Sequence, residues 1–276
     1  MGLSKKNDNF AFVLIIKVMT DKDTVILRNL SIGYGKKVVA KDINESIRQG
    51  ELTCLLGPNG VGKSTLLRTL AGFQPKLSGD ILINGKGIEE YSRAEMSQII
   101  SIVLTEKPST QNLNAQQIVE MGRAPYTGFW NKCSKEDMEV VDNAISMVNI
   151  ESLRHRMIST LSDGELQKVM IAKALAQQTP VIYLDEPTAF LDYQSKVDLM
   201  MLLSRIGRKM QKTIFLSTHD VELALQIADM IWLMDDDGTL VTGTPDELAA
   251  GGHLQRFFET DTLRYDKDTG MLMVVK

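Results

Sequence analysis

Residues 57–64 read GPNGVGKS, and the fold is decided by what that stretch can do. Gly57, Pro58, Asn59, Gly60, Val61, Gly62, Lys63 and Ser64 satisfy G-x-x-x-x-G-K-[ST] at every fixed position. The glycines let successive backbone N–H groups close around phosphates, and a helix starting at once behind them adds the positive end of its dipole. In this pattern Lys63 reaches the outer phosphates, the Ser64 hydroxyl ligates Mg²⁺, and Thr65 follows in the first turn. The flanks agree. ELTCLL (51–56) reads as a strand, and KSTLLRTLA (63–71) has helical spacing closed by Gly72. A chance glycine-rich turn would not need such flanks.

A second stretch, VIYLDE (181–186), completes the chemistry. Its unbroken apolar run reads as a buried central strand, with Asp185 at the strand's end. A carboxylate there can hold a Mg²⁺ hydration shell, and Glu186 can orient or deprotonate an attacking water. An acidic pair after a strand says little alone. Behind a matching phosphate loop it says a good deal, and together they specify a P-loop nucleotidase.

The rest of the chain fits around these two stretches. From Thr24, TVILRNLSI, KKVV, residues 43–47 and ELTCLLG are short β-type runs, and GDILIN (79–84) with Asn84-Gly85 has the chemistry of a tight hairpin. Beyond Leu161 the pattern alternates: helix 163–178, strand 180–185, helix 193–210, strand 213–218, helix 220–229, strand 230–234. Such alternation implies a parallel sheet with helices on its faces. Between them, about 106–165, helical spacing prevails without a strand, as in residues 115–122 and 135–148. The fold class expected is therefore α/β: a P-loop NTPase core, an N-terminal antiparallel β-subdomain and a helical insertion. Residues 23–243 would form the ATPase domain. Residues 244–276 would pack on it as a tail, with a helix from Pro245 to Ala250 and a small hairpin. Residues 1–22 would be an extension without core pattern. FAFVLII (10–16) is its one apolar run, and Met19 is expected as the natural start, with residues 1–18 dispensable.

Composition narrows the function. The 276 residues carry a formal charge of -4, with 43% hydrophobic and 24% charged residues, and the pI is near 5.5. That balance suits a globular fold and gives no drive toward nucleic acid. Cys54 and Cys133 lie far apart with no metal spacing, so we read both as small apolar residues in a reducing compartment. No run approaches the ~18–20 apolar residues a membrane span needs. Any membrane role would come through a partner.

Residues 161–165, LSDGE, stand directly before a helix and about 20 residues ahead of the second strand. Here the sequence resembles the ABC ATPase family, whose signature is LSGGQ. It departs at Asp163 and Glu165 and keeps Ser162 and Gly164. The same residues also make an ordinary helix N-cap, and the two readings are compatible. Further matches follow. Tyr34 stands where relatives stack an aromatic on adenine, residues 189–192 (AFLD) resemble the loop that crosses the dimer interface at Asp192, and residues 217–220 (STHD) resemble the switch segment with His219. His155 and His253 match no motif and are expected at the surface. The resemblance covers residues 24–243. It implies ATP with Mg²⁺, and a head-to-tail homodimer with each ATP between one subunit's phosphate loop and the other's Ser162, Gly164 and Glu165. Lys63, Glu186 and His219 would be catalytic.

One phosphate loop and no fused span point to a stand-alone transporter subunit. By resemblance it would sit on polytopic permease subunits at the cytoplasmic face of the cell membrane, and serve a substrate-binding protein indirectly. Residues 121–128, MGRAPYTG, resemble the GRxPY/H segment of iron-siderophore, haem and cobalamin importer ATPases. The alternatives are an ABC ATPase for another cargo, or a soluble ATP-gated regulatory or assembly module. One family position is altered. Relatives end the strand after the β-subdomain in Gln, which reaches Mg²⁺ and the attacking water. Here the strand IISIVL (99–104) runs into Thr105-Glu106, and counting back from Gly122 puts Thr105 at that place. We expect Thr105 to act there through water, with Glu106 turned to the membrane partner. Either could offer oxygen to the metal.

Overall fold

The computed structural model describes residues 23–105, 112–128, 132–266 and 269–275. The extension expected over residues 1–22 and the side chain of Glu106 lie outside the described residues.

The described residues open with four strands: β1 (Asp23–Tyr34), β2 (Lys37–Ile43), β3 (Ser46–Arg48) and β4 (Leu52–Leu56). The phosphate loop then leads into α1 (Lys63–Leu70), followed by β5 (Ser78–Ile83), β6 (Lys86–Gly87), α2 (Arg93–Ile99) and β7 (Ile100–Val103). The helical insertion holds α3 (Ala115–Glu120) and α4 (Lys135–Met147), after which α5 (Asp163–Ala176) returns to the core. The remaining core elements are β8 (Val181–Asp185), α6 (Tyr193–Met210), β9 (Thr213–Ser217), α7 (Val221–Ile227), β10 (Met230–Met234) and β11 (Leu240–Gly243). The tail adds α8 (Pro245–Ala250), α9 (His253–Phe258) and the hairpin β12 (Leu263–Asp266) and β13 (Met271–Val274).

Two sheets carry the architecture. The antiparallel one has the order β2-β1-β5-β6, with β3 also on β1. The core sheet runs β11-β10-β4-β9-β8-β7, parallel throughout except for β11 at its edge. Strand alternation sorts the core into two layers. On β4, Leu52, Cys54 and Leu56 join the layer under the insertion, α6 and the tail. Leu55 points the other way, into the layer with α1 and the antiparallel sheet. Tyr183, Phe215 and Trp232 line that second layer as edge-on pairs, with ring centroids 6.1 and 4.9 Å apart. Burial beside Asp229 pushes the Cys54 thiol far up, which keeps it unreactive.

The turn at Asn84-Gly85 has both residues at positive φ, 50° and 80°. That is the mirror-type turn its sequence calls for. Two expectations are corrected. The run 43–47 is not one strand, because Asn44 turns its carboxamide to accept from Asn29 N and separates β2 from β3. The helix expected over 163–178 stops at Ala176, because Gln178 enters the left-handed region at φ 57°. Among the described residues no helix is long and apolar enough to cross a membrane.

The insertion is seated by MGRAPY. A Cβ at Gly122 would lie 2.3 Å from the Lys173 carbonyl oxygen, so only glycine lets this turn press on α5. The buried Arg123 pairs with Asp137 at 2.8 Å, donates to the Ala176 carbonyl at 2.8 Å and Gln178 Oε1 at 2.9 Å, and lies over the Tyr126 ring. Here the motif acts as a structural clamp between α4 and the end of α5.

Candidate functional site

In the core sheet β4 and β8 flank β9, so the residues leaving their carboxyl ends meet. Parallel α/β sheets bind ligands at this edge. The loop after β4 is drawn tight. Gly62 has φ 122°, and a Cβ there would lie 2.1 Å from Val39 Cγ1. Lys63 is buried and donates to the carbonyls of Gly57 and Pro58 at 2.8 and 2.9 Å. Its burial pulls the ammonium pKa down, while Glu186 and Asp185 push it back up.

From β8, Asp185 is buried and accepts from Ser64 Oγ at 3.0 Å and from Ser217 Oγ at 2.7 Å. Ser217, the last residue of β9, also accepts from the Glu186 N–H at 2.9 Å. Glu186 sits in the left-handed region at φ 49°, which few non-glycine residues adopt. Its carboxylate shares a hydrogen bond with His219 Nε2. The switch segment is tied to the loop after β8 and to α6: Thr188 Oγ1 donates to Asp220 Oδ2 at 2.6 Å, and Lys196 Nζ on α6 donates to Asp220 Oδ1 at 2.6 Å. Thr105 Oγ1 donates to the Asp185 carbonyl at 2.7 Å.

Tyr34 stands at the mouth of the loop, 54% exposed, with its hydroxyl 2.9 Å from Thr65 Oγ1. Exposed Val38 belongs to the same β1–β2 hairpin. Lys63, Ser64, Thr65, Tyr34, Asp185, Glu186 and His219 are thus brought together within one chain.

Ser162, Gly164 and Glu165 are not with them. They line a separate recess of about 150 Å³ with Lys168, Leu191 and Ser195. Ser162 caps α5, accepting from Glu165 N at 3.3 Å, and Glu165 Oε2 accepts from Ser162 N at 2.8 Å. Arg156 donates to Glu165 Oε1 at 2.9 Å and to the Thr160 carbonyl at 2.7 Å. The backbone bond from Ser162 is the main force holding the Glu165 carboxyl below its usual range. Asp192 caps α6 through Ser195 N and Oγ at 3.0 and 2.7 Å. Phe190, two residues before Asp192, is 77% exposed at φ 64°. His155 and His253 lie exposed, away from either group.

Sequence reasoning missed Ser217, Thr188 and Lys196. Ser217 could only have been found from the register that sets it opposite Asp185.

Comparison with known proteins now decides the family, because residues 40–189 match the profile described as ABC transporter. The chain belongs to the ABC transporter family. It is 34% identical to the probable siderophore transport system ATP-binding protein YusV of Bacillus subtilis, over 83% of each chain. It is 33% identical to the ferric enterobactin transport ATP-binding protein FepC of Escherichia coli, over 83% of this chain and 84% of that one. A bacterial ABC transporter cassette solved as a dimer superposes with a TM-score of 0.69 at 26% identity, covering 80% of this chain and 98% of that chain. As an ABC cassette, the protein binds nucleotide and hydrolyses ATP to power transport.

Proposed function

We propose that this ABC ATPase works as a head-to-tail homodimer on polytopic permease subunits at the cytoplasmic face of the membrane. Its cargo would be an iron chelate or cobalamin, delivered by a substrate-binding protein. The observation that carries the reading is the cluster of Lys63, Ser64, Asp185, Glu186 and His219 at the carboxyl ends of β4, β8 and β9. The separate recess of Ser162, Gly164 and Glu165 supports the dimer, because a second copy turned head to tail would bring it over the first copy's loop. The names of YusV and FepC support the cargo class. The same names favour transport over a regulatory role.

The loop amides and Lys63 bind and neutralise the phosphates. Tyr34 offers its ring to the base. Ser64 Oγ and the Asp185 carboxylate are hard oxygen donors 3.0 Å apart, a set that suits Mg²⁺. They would hold that ion, which supplies charge stabilisation on the transferred phosphoryl group. Glu186 accepts the proton of the attacking water, and His219 fixes its carboxylate. Ser162 and Gly164 of the second copy close over the outer phosphate.

Coupling would pass through a cleft of about 680 Å³ between α1's end, α2 and α5, lined by Phe73, Tyr91, Arg93, Met96, Lys173 and Gln177 among others. Gln177 spans its wall, donating to the carbonyls of Ser97 and Ile100 at 2.6 and 3.0 Å. An apolar floor with cations at the side suits the end of a short permease helix. Phe73 is largely exposed, so Phe73→Asp should leave ATP binding intact. It should abolish recovery of a polytopic membrane protein with the chain from detergent-solubilised membranes, and with it ferric-chelate uptake. Recovery and uptake at parent levels would contradict the docking site.

A further inference from the structure

The peptide bond between Asp185 and Glu186 is held at both ends by hydroxyl groups, one from the end of β9 and one from the segment just after β7. Its carbonyl accepts from Thr105 Oγ1 at 2.7 Å, and its N–H donates to Ser217 Oγ at 2.9 Å. Ser217 spends its own proton on Asp185 Oδ1 at 2.7 Å. Every bond of the clamp therefore has a fixed direction. The plane of this one peptide sets ψ of Asp185 and φ of Glu186, and φ of Glu186 is +49°. Rotation of the peptide would release that sparsely populated backbone and swing the Glu186 carboxylate away from His219.

We infer that Thr105 is a positioning residue that holds the Asp185–Glu186 peptide and so aims Glu186, rather than a ligand of the metal. This rests on the reading of Glu186 as the base. It is an alternative to the expectation that Thr105 acts through water. The hydroxyl is seated on the Asp185 carbonyl, at the peptide that fixes the backbone of Glu186. Strand geometry explains why a short side chain serves. β7 pairs with β8 in parallel register, Val103 beside Leu184, which brings residue 105 alongside the carbonyl of Asp185. From there a β-branched hydroxyl reaches across with one stiff torsion. The function is carried by the hydroxyl, not by the bulk of the residue.

The test uses the purified full chain with Thr105→Val, which keeps the shape without the donor, and Thr105→Ser, which keeps the donor. Glu186→Gln serves as reference. We expect Thr105→Val to lower kcat roughly tenfold to a hundredfold. KM for ATP, the Mg²⁺ midpoint and Tm should stay near parent values, and Thr105→Ser should recover most of kcat. A second readout does not depend on turnover: Thr105→Val combined with Glu186→Gln should still form an ATP-dependent dimer at the parent Mg²⁺ concentration. A shifted Mg²⁺ midpoint, or loss of that dimer, would make Thr105 a metal ligand and overturn the inference. Unchanged kcat in Thr105→Val, or a serine variant as slow as the valine one, would overturn it too. If Glu186→Gln itself hydrolyses ATP at the parent rate, the reading of the base has failed and the clamp has nothing to aim. That result is distinct from a dead Glu186→Gln beside a live Thr105→Val.

Discussion

Gly62 and Tyr34 show how much single side chains decide at the nucleotide site. A methyl group at Gly62 would meet Val39 Cγ1 at 2.1 Å, and φ is 122° there. Gly62→Ala must therefore open the loop away from β2. Titration with a fluorescent ATP analogue should show affinity lowered by more than tenfold, and binding at parent strength would refute the tight-loop account. Tyr34 contributes a ring and a hydroxyl, and the two can be separated. Tyr34→Phe loses only the bond to Thr65 Oγ1 and should bind ATP within about twofold of the parent. Tyr34→Ala loses the stacking surface, which costs roughly tenfold in affinity. Equal losses in both variants would mean that the hydroxyl, not the ring, does the binding.

At the scale of elements, the caps and clamps make predictions about stability. Arg123 reaches Asp137, the Ala176 carbonyl and Gln178 Oε1 at once and lies over Tyr126. Lysine has no fork to do this. Arg123→Lys should cost about 2 kcal/mol in urea denaturation, with nucleotide affinity unchanged. A neutral result would make the segment a dispensable turn. The cap of α5 predicts a pH dependence. The Glu165 carboxyl lies below its usual range in the folded chain, chiefly through the Ser162 N–H. Its contribution is thus complete above the ordinary glutamate pKa and is lost as pH falls through the lowered folded value. Tm should decline on acidification through that window. Glu165→Gln, which keeps the cap but cannot titrate, should flatten the decline, and an unchanged slope would contradict the assignment.

Over the whole molecule, what the sequence made legible follows from the range of each interaction. The phosphate loop, VIYLDE and the helix–strand alternation are local patterns, and both the fold class and the Asn84-Gly85 turn were readable from them. Ser217 was not, because its role comes from β9 lying between β4 and β8, and strand order is a long-range property. The function of MGRAPY was half legible. Its glycine shows in the sequence, whereas the contact of Arg123 with the end of α5 spans more than 50 positions. Thr105 was located by counting, yet its partner is a backbone carbonyl that no side-chain pattern announces. The division of the chemical groups between two places, the loop cluster and the recess of Ser162 and Gly164, was implied by the family resemblance alone; in three dimensions the two places lie apart within one chain, and the proposed dimer rests on that. Sizing chromatography with ATP and Mg²⁺ tests that claim most directly. Glu186→Gln should bind ATP without hydrolysing it and elute as a dimer, whereas Lys63→Ala, having lost its phosphate contact, should remain a monomer. A dimer trapped by Lys63→Ala and none by Glu186→Gln would contradict the account.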